Sequence, residues 1–311
     1  MDLHPSMNKF LTERIISLLN KNDIFTISDF VKEDLYKLTQ ITKLDREAIT
    51  KVKDNFVRLL SPHKGFGFQK EVIRTGIDSF DDLLGGGLKS GNLYDICGLS
   101  GTGKTLICNI IAVHFAEQYK YGTLYVDAKN DFSGQRIYNM LNARQCSDAE
   151  CGVIMNSIRC ESIYDVRQFL KILLDLPDYL DKHKDVKCLI VDSLPSLWLP
   201  LMDVNGVHLL SKATNLMHKI AFTHDIIFLL INIVTRRTET ESNTSTDFER
   251  FKTTTNVALG SYWRTVPRQR ILLERTDLPK TQSTGQRTVK ILKGEGKGKT
   301  CIVNITNKGV V

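Results

Sequence analysis

The chain has 311 residues, of which 42% are hydrophobic and 25% charged, with only seven prolines. This composition excludes a disordered or fibrous protein, and the length allows one sizeable α/β core with a small accessory unit. The formal net charge of +7 is compatible with a polyanionic partner without requiring one.

The first part of the chain is helical in pattern and ends at a stretch rich in Gly, Pro and Ser. Its clearest helix is predicted over residues 46–60, with Asp45 as the N-cap. Residues 61–68 lose this periodicity, which is typical of a linker. We therefore predict a helical N-terminal domain over residues 1–60, a linker over 61–73 and an α/β core over 74–311.

Beyond the linker, short β-branched runs alternate with helical patterns, as in βαβ units around a parallel sheet. Strands are predicted over residues 93–97, 123–127, 154–158, 187–192 and 226–234. Helices are predicted over residues 105–118 and 163–176, and a third has apolar residues at helical spacing between 209 and 220. Ser162 and Asp165 are expected to open the second of these as a capping box.

The last third of the chain changes character. Residues 269–274, 287–292 and 299–305 are strand-like and have no helix between them, which predicts an antiparallel extension of the sheet. Residues 235–256 are polar and are predicted to form a long loop that is either functional or mobile. The expected fold class is α/β, a mostly parallel twisted sheet with helices on both faces, preceded by the small helical domain.

The sequence indicates no export signal, no membrane span and no zinc site. The longest apolar run covers only residues 226–231, and the first residues lack a signal-peptide pattern, so we expect a nuclear or cytosolic protein. The seven cysteines are odd in number and have no Cys-x-x-Cys spacing, and the seven histidines form no ligand cluster with them.

One motif indicates specific chemistry. Eight residues fit G-x-x-x-x-G-K-[ST], follow a predicted strand and open a predicted helix. They are Gly98, Leu99, Ser100, Gly101, Thr102, Gly103, Lys104 and Thr105. Such a loop turns backbone N–H groups toward phosphates at a helix N-terminus. We predict that Lys104 binds the β- and γ-phosphates of ATP and that Thr105 binds Mg²⁺.

A carboxylate that ends a later strand completes the predicted site. Residues 187–191 are largely apolar and are followed by Asp192. In P-loop proteins an acid at this place reaches the magnesium shell. We therefore predict Thr105 and Asp192 as the magnesium-binding residues, with ATP and Mg²⁺ as the cofactors.

Several segments resemble the eukaryotic and archaeal RecA-like recombinases. Residues 75–91 resemble the segment that leads into the phosphate-binding loop, and residues 258–263, ALGSYW, resemble the end of that family's second DNA-facing loop. The segments LYVD at 124–127, IVDS at 190–193 and RILLE at 270–274 are most similar to the D paralogues of the Rad fifty-one group. The resemblance covers residues 74 to 274 and implies a RecA-like P-loop ATPase core.

The resemblance also implies a function in DNA repair by homologous recombination. It implies an ATP-binding subunit of a heteromeric complex with sister paralogues, notably the C paralogue and the X-ray cross-complementing group two protein. Such complexes act in the nucleus, bind single-stranded or branched DNA and assist the recombinase filament. The alternative is a catalytic, DNA-dependent ATPase recombinase that forms its own filaments and performs strand exchange.

Two positions depart from the family pattern that supports hydrolysis. Alignment at Asp127 puts Lys129 where the family has the glutamate that orients the attacking water, and a cation cannot act as that base. The polar sensor of the γ-phosphate falls at Ile233, which cannot hydrogen-bond a phosphate. Glu161 or Asp131 are the substitutes if the alignment shifts. We expect weak or absent intrinsic ATPase activity.

The remaining assignments follow from the resemblance and stay open. Arg136 aligns with an arginine that stacks on adenine in the family, and the alternative is a solvated helix residue. Four basic residues of the polar stretch are candidate DNA contacts, namely Arg236, Arg237, Arg250 and Lys252, but nearby acidic residues nearly cancel their charge.

The N-terminal part lacks two other features of the family. Residues 66–69, FGFQ, do not supply the self-polymerisation pattern Phe-x-x-Ala. Residues 41–44, ITKL, lack the glycine of the helix-hairpin-helix turn that lets backbone approach a phosphate. Partner binding is therefore as plausible as DNA binding for this domain.

Overall fold

The computed structural model describes residues 3–8, 10–60, 70–201, 204–241, 250–276, 285–306 and 308–310. They group into two units, one of Met1–Gln69 and His208–Asn215 and one of Lys70–Val207 and Leu216–Val311. Most of the predicted linker, including residues 66–69, lies outside the described residues.

The first unit consists of short helices around an apolar centre. A 3-10 turn, Pro5–Met7, precedes α1 (Glu13–Asn20), α2 (Ile27–Lys32), α3 (Leu35–Thr42) and α4 (Arg46–Leu60). Asp45 opens α4 by accepting a 2.6 Å hydrogen bond from the Ala48 amide. Phe30 and Phe56 are fully buried in an edge-to-face contact with ring centroids 5.4 Å apart. The predicted helix over residues 46–60 and its N-cap are confirmed.

The turn between α3 and α4 has a left-handed residue without a glycine. Lys43 has a φ of 57° and donates its N–H to the Thr39 carbonyl at 3.0 Å. A residue with a Cβ takes this conformation at a cost of about 1 kcal/mol relative to glycine. The missing glycine therefore does not remove the turn, although it adds a side chain at its tip.

The second unit alternates strands and helices along most of its length. Its first half contains β1 (Val72–Ile73), α5 (Asp78–Leu83), β2 (Leu88–Lys89), β3 (Leu93–Gly98), α6 (Lys104–His114), the π-helical turn Phe115–Tyr119, β4 (Gly122–Asp127), α7 (Gly134–Ala143), α8 (Asp148–Asn156), β5 (Ile158–Ser162) and α9 (Val166–Lys182). Its second half contains β6 (Val186–Asp192), α10 (Leu194–Trp198), the 3-10 turn Leu199–Leu201, the two ends of α11 (Val204–His224), β7 (Ile227–Ile231), β8 (Val234–Glu241), β9 (Arg250–Val257), α12 (Gly260–Trp263), β10 (Gln269–Arg275), β11 (Gln286–Lys293), β12 (Thr300–Thr306) and β13 (Gly309–Val310). The middle of α11, His208–Asn215, belongs to the first unit.

Among the described residues, nine strands form one sheet in the order β13-β12-β11-β10-β3-β7-β6-β4-β5. Neighbours from β10 to β5 run parallel, and β10 to β13 pair antiparallel. Strands β3, β4 and β7 are buried along their whole length, as expected when helices cover both faces of a parallel sheet. The predicted α/β class with an antiparallel C-terminal extension is confirmed.

The edge of the sheet at β5 differs from the sequence prediction. The run predicted as a strand over residues 154–158 begins inside α8, and the edge strand starts only at Ile158. Ser147 starts α8 through a capping box with Glu150, so the apolar residues that follow continue a helix. The predicted start of the next helix at Ser162 is also wrong, because Asp165 is the N-cap of α9.

The prediction of a long loop over residues 235–256 is wrong as well. Most of this stretch forms an antiparallel hairpin of β8 with β9, in which Val234 pairs with Val257 and Glu241 with Arg250. Its threonines are β-branched and favour extended backbone. Both strands are polar at nearly every position, so no period of two marks them in the sequence. Residues 242–249 lie outside the described residues.

Two kinds of structure are not found in the described part of the chain. No helix there is long and apolar enough to cross a membrane. No group of three or more His, Cys, Asp or Glu side chains there could hold a metal ion. The cysteines form no disulfide bond.

The carboxyl ends of the parallel strands gather the polar side chains that the sequence singled out. Strand β3 leads into residues 98–105, β4 ends at Asp127 and β6 ends at Asp192. Asp127 and Asp192 are direct partners in the β4–β6 register. Ligands of open α/β sheets bind beyond the carboxyl ends of the strands, so a site is expected at this edge.

Candidate nucleotide-binding site

The predicted phosphate-binding loop, residues 98–105, joins β3 to α6. Gly101 and Gly103 have left-handed φ values of 71° and 101°, which glycine adopts without steric cost. Helix α6 begins at Lys104, and its N-cap Gly103 offers no side-chain hydrogen bond to the first amides. These N–H groups therefore lack a side-chain cap, and an anion at the helix N-terminus can accept their hydrogen bonds.

The C-terminal extension holds the carbonyl side of this loop. Arg275 Nη2 donates to the Gly101 carbonyl at 3.2 Å, and Arg287 Nε donates to the Thr102 carbonyl at 3.1 Å. The C=O and N–H of a trans peptide point in opposite directions. Because the carbonyls of Gly101 and Thr102 point toward the arginines, the N–H groups of the residues that follow them point away from the arginines. The two arginines thus orient the amides of the loop.

Replacing Arg287 by glutamine is expected to weaken nucleotide binding about fivefold, because a charge-assisted hydrogen bond of about 1 kcal/mol no longer holds the loop. Calorimetric titration with ATP and with ADP measures the change. Arg264 is exposed, so Arg264→Gln is the matched control and should leave the affinity unchanged. Wild-type affinity in the Arg287 variant would contradict the orienting role.

Lys104 lies inside the loop and is 6% exposed. Its Nζ donates to the carbonyls of Gly98 and Leu99 at 2.9 and 2.8 Å. Burial, followed by the nearby ammonium of Lys129, lowers the pKa of Lys104 to about 8. A phosphate beside this amine would supply a counter-charge and favour its charged form.

Asp192 is 1% exposed and receives two hydroxyl groups on one oxygen. Its Oδ2 accepts from Thr105 Oγ1 at 2.5 Å and from the Tyr125 hydroxyl at 3.0 Å. Burial, followed by the charge of Asp192, raises the pKa of Tyr125, so Tyr125 remains a protonated donor. The last residue of β6 is thereby joined to the first turn of α6.

The turn after β4 brings a lysine to the other oxygen of Asp192. The Asp127 carboxylate accepts three backbone N–H bonds of this turn, at 2.8 to 3.3 Å, from Lys129, Asp131 and Phe132. From the turn, Lys129 Nζ reaches within 3.4 Å of Asp192 Oδ1. The sequence aligned Lys129 with the glutamate that orients the attacking water in the family, but it did not predict this ion pair.

The residues at this edge fit a magnesium ion bound with a nucleotide. Asp192 Oδ1 is buried and has no hydrogen-bond partner within the described ranges, so the contact with Lys129 is one of charge alone. Carboxylate and hydroxyl oxygens are the ligands that Mg²⁺ prefers, together with water and phosphate. Bound there, Mg²⁺ would neutralise charge on the phosphates. Thr105 and Asp192 are the residues that would hold it, and this assignment stays a prediction.

The positions linked to hydrolysis carry no buried acid. Ile233 is half-buried and follows Asn232, whose side-chain oxygen accepts from the Ile233 amide at 2.8 Å. Glu161 is exposed on the edge strand β5, and Asp131 is exposed in the turn after β4. A general base acts within hydrogen-bond reach of the water it activates, and the side chains beside Asp192 are two hydroxyl donors and the ammonium of Lys129.

Arg136 is exposed in the first turn of α7, where its amide donates to Ser133 Oγ at 3.3 Å. Its contact with adenine stays a prediction.

The four candidate DNA contacts all lie in the β8–β9 hairpin. In its register two of them are opposite glutamates and two opposite threonines: Lys252 with Glu239, Arg250 with Glu241, Arg236 with Thr255 and Arg237 with Thr254. Their contacts with DNA stay predictions.

Three residues of the site were not identified from the sequence. Tyr125 lies two residues before Asp127 in a predicted strand, so the period of two could have suggested that both face the same side. Arg275 and Arg287 are partners in the β10–β11 register. Their approach to the loop depends on where the extension joins the sheet, for which no local pattern exists.

Comparisons with known proteins identify a family and several relatives. The family model described as "ATPase: KaiC" matches residues 73–293. "DNA repair protein RAD51 homolog 4" of Mus musculus is 28% identical over 299 residues, which cover 91% of this chain and 87% of that protein. The protein of the same name from Bos taurus is 28% identical over 291 residues, covering 88% and 84%. "DNA repair and recombination protein RadB" of Archaeoglobus fulgidus is 31% identical over 130 residues, covering 42% and 53%.

The family match spans well over half of the chain and includes the loop, β6 and the parallel part of the sheet. The similarity to the two mammalian proteins extends beyond it over most of the chain. Nucleotide binding is the property that a RecA-like ATPase core implies. This chain belongs to the KaiC-type ATPase family with a RecA-like core, and it is similar to the D paralogues of the Rad fifty-one group.

Proposed function

We propose that the chain binds ATP and Mg²⁺ at residues 98–105 and Asp192 and acts as an assembly subunit of a heteromeric recombinase-paralogue complex. In this proposal the sister subunits are the C paralogue and the X-ray cross-complementing group two protein. The complex works in the nucleus on single-stranded or branched DNA and assists the recombinase filament. A helical domain over residues 1–60 and a linker over 61–73 precede the ATP-binding core.

The observation that carries the proposal is the 2.5 Å hydrogen bond between Thr105 and Asp192. It joins a hydroxyl and a carboxylate beside a loop that has uncapped amides and the buried Lys104. An ammonium, backbone amides and two oxygen ligands are what a nucleoside triphosphate with Mg²⁺ requires. Arg136 is the residue proposed to stack on the adenine.

Weak turnover follows from two residues. Lys129 contacts the carboxylate of Asp192, and the aliphatic Ile233 aligns with the sensor position of the family. An ammonium cannot act as the base that takes a proton from water, and the aliphatic Ile233 cannot donate a hydrogen bond to the γ-phosphate. We therefore propose that the bound nucleotide stabilises the complex and is hydrolysed slowly.

The charge of the β8–β9 hairpin favours a supporting role on DNA. Its candidates for phosphate contacts are Arg236, Arg237, Arg250 and Lys252. A strand-exchange enzyme needs many phosphate contacts to hold its DNA. Residues 235–256 carry four basic and four acidic residues, and this near-neutral stretch fits a subunit that shares DNA with its partners.

The test compares the isolated chain with the complex recovered from cells. We expect ATP uptake, DNA-stimulated hydrolysis far below that of an active recombinase assayed in parallel, and recovery of sister paralogues that increases with ATP and Mg²⁺. Omitting nucleotide is the internal control for recovery.

Two outcomes would contradict the proposal. Filaments and strand exchange by the isolated chain, with recombinase-like ATP hydrolysis, would support the catalytic alternative. Recovery of no sister paralogue under any nucleotide condition would contradict the role as an assembly subunit.

A further inference from the structure

Two ammonium groups and one carboxylate meet at the candidate site. Lys129 Nζ lies 3.4 Å from Asp192 Oδ1, while Lys104 is inside the phosphate-binding loop. The charge of Lys129 lowers the pKa of Lys104, and the charge of Asp192 raises it. With both lysines charged, these three side chains carry a net charge of +1 before any ligand binds.

A divalent cation competes with Lys129 for the same oxygen. Asp192 Oδ1 has no hydrogen-bond partner among the described residues, and Lys129 is the cation recorded beside it. Mg²⁺ at Thr105 and Asp192 would come close to the ammonium, and like charges repel strongly where water is largely excluded. The ion must therefore share Asp192 with Lys129 or displace it.

Lys129 can reach other anions without unfolding its turn. Its side chain is 30% exposed, in contrast to the 1% exposure of Asp192. The Asp127 carboxylate holds the backbone of the turn, so movement of the flexible lysine stem leaves the turn intact. A lysine ammonium is a compact point charge that binds phosphate without a fixed geometry.

We propose that Lys129 is a phosphate-binding residue that replaces part of the charge neutralisation of Mg²⁺, so that this chain binds ATP with little dependence on magnesium. The inference rests on the proposed nucleotide binding and specifies the ionic form of the ligand. In the free chain Lys129 neutralises Asp192. In the bound chain its ammonium turns to the phosphates, and Asp192 becomes available to whatever cation accompanies them.

The experiment is calorimetric titration of the full chain with ATP, in excess Mg²⁺ and in excess EDTA. We expect the two wild-type dissociation constants to agree within about threefold. Lys129→Glu reverses the charge and should weaken binding in EDTA by about thirtyfold or more, with a much smaller change in Mg²⁺. Lys129→Arg keeps the cation and should keep the wild-type pattern.

The control is Lys171→Glu, which makes the same charge change at an exposed position of α9 and should alter neither constant. Circular dichroism of each variant checks that it is folded. A wild-type chain that loses about a hundredfold in EDTA, with Lys129→Glu shifting both constants equally, would overturn the inference while nucleotide binding stands. No ATP uptake by the wild type in either buffer would overturn the proposed function together with the inference.

Discussion

Replacing Arg270 by methionine lowers the free energy of unfolding by about 3 to 5 kcal/mol, because it leaves a buried carboxylate without its counter-charge. Arg270 and Asp95 are 6% and 0% exposed, and Arg270 Nε donates to Asp95 Oδ2 at 2.5 Å. The same oxygen accepts from Trp263 Nε1 at 3.0 Å, and Arg270 Nη2 donates to the Trp263 carbonyl at 2.9 Å. Urea denaturation measures the loss.

The pH dependence identifies the cause of this loss. Burial raises the pKa of the Asp95 carboxyl, and Arg270 opposes that rise. Without Arg270, the charged carboxylate destabilises the fold at pH values above the unfolded pKa, and protonation removes the penalty as the pH falls. The difference in unfolding free energy between the variant and the wild type should therefore shrink toward acidic pH.

Two further variants make this prediction specific. Arg268→Met removes an exposed arginine two residues away and should cost less than about 0.5 kcal/mol. Asp95→Asn combined with Arg270→Met removes both charges and should recover part of the stability. A loss below about 1 kcal/mol in the single variant would show that the pair is not buried as a charge pair.

Replacing Lys104 by alanine is expected to weaken ATP binding about a hundredfold, because two charge-assisted hydrogen bonds to phosphate are lost. The loss should be similar with and without Mg²⁺, since the ammonium is proposed to contact phosphate and not the metal. Thermal unfolding with and without ATP gives a second readout. The wild type should gain stability with ligand and the variant should not.

The matched control is Lys171→Ala, which removes an exposed lysine of α9 and should bind ATP like the wild type. Lys104→Arg distinguishes charge from fit, because the guanidinium is wider than the ammonium that hydrogen-bonds the Gly98 and Leu99 carbonyls. Near-normal affinity in Lys104→Ala would mean that the loop does not bind the triphosphate.

Much of the fold could be predicted because its signals are local. The buried parallel strands are continuous apolar runs, and Asp45 before α4 is a cap that acts within one turn. Predictions failed in two places for different reasons. The capping box at Ser147 continues a helix over a run that was predicted as a strand. The threonines of β8 and β9 form strands although no apolar face marks them in the sequence.

The sequence by itself determined the glycine-rich turn between β3 and α6, the acid at the end of β6 and the α/β class, because glycine spacing, a lysine at a helix start and strand-ending carboxylates act within a few residues of chain. Only the tertiary structure decided that Lys129 contacts Asp192 and that Arg275 and Arg287 hold the loop. These contacts join segments far apart in the chain. They exist because the sheet places the ends of β4, β6, β10 and β11 near β3, and strand order is set by packing of the whole core and not by any local pattern.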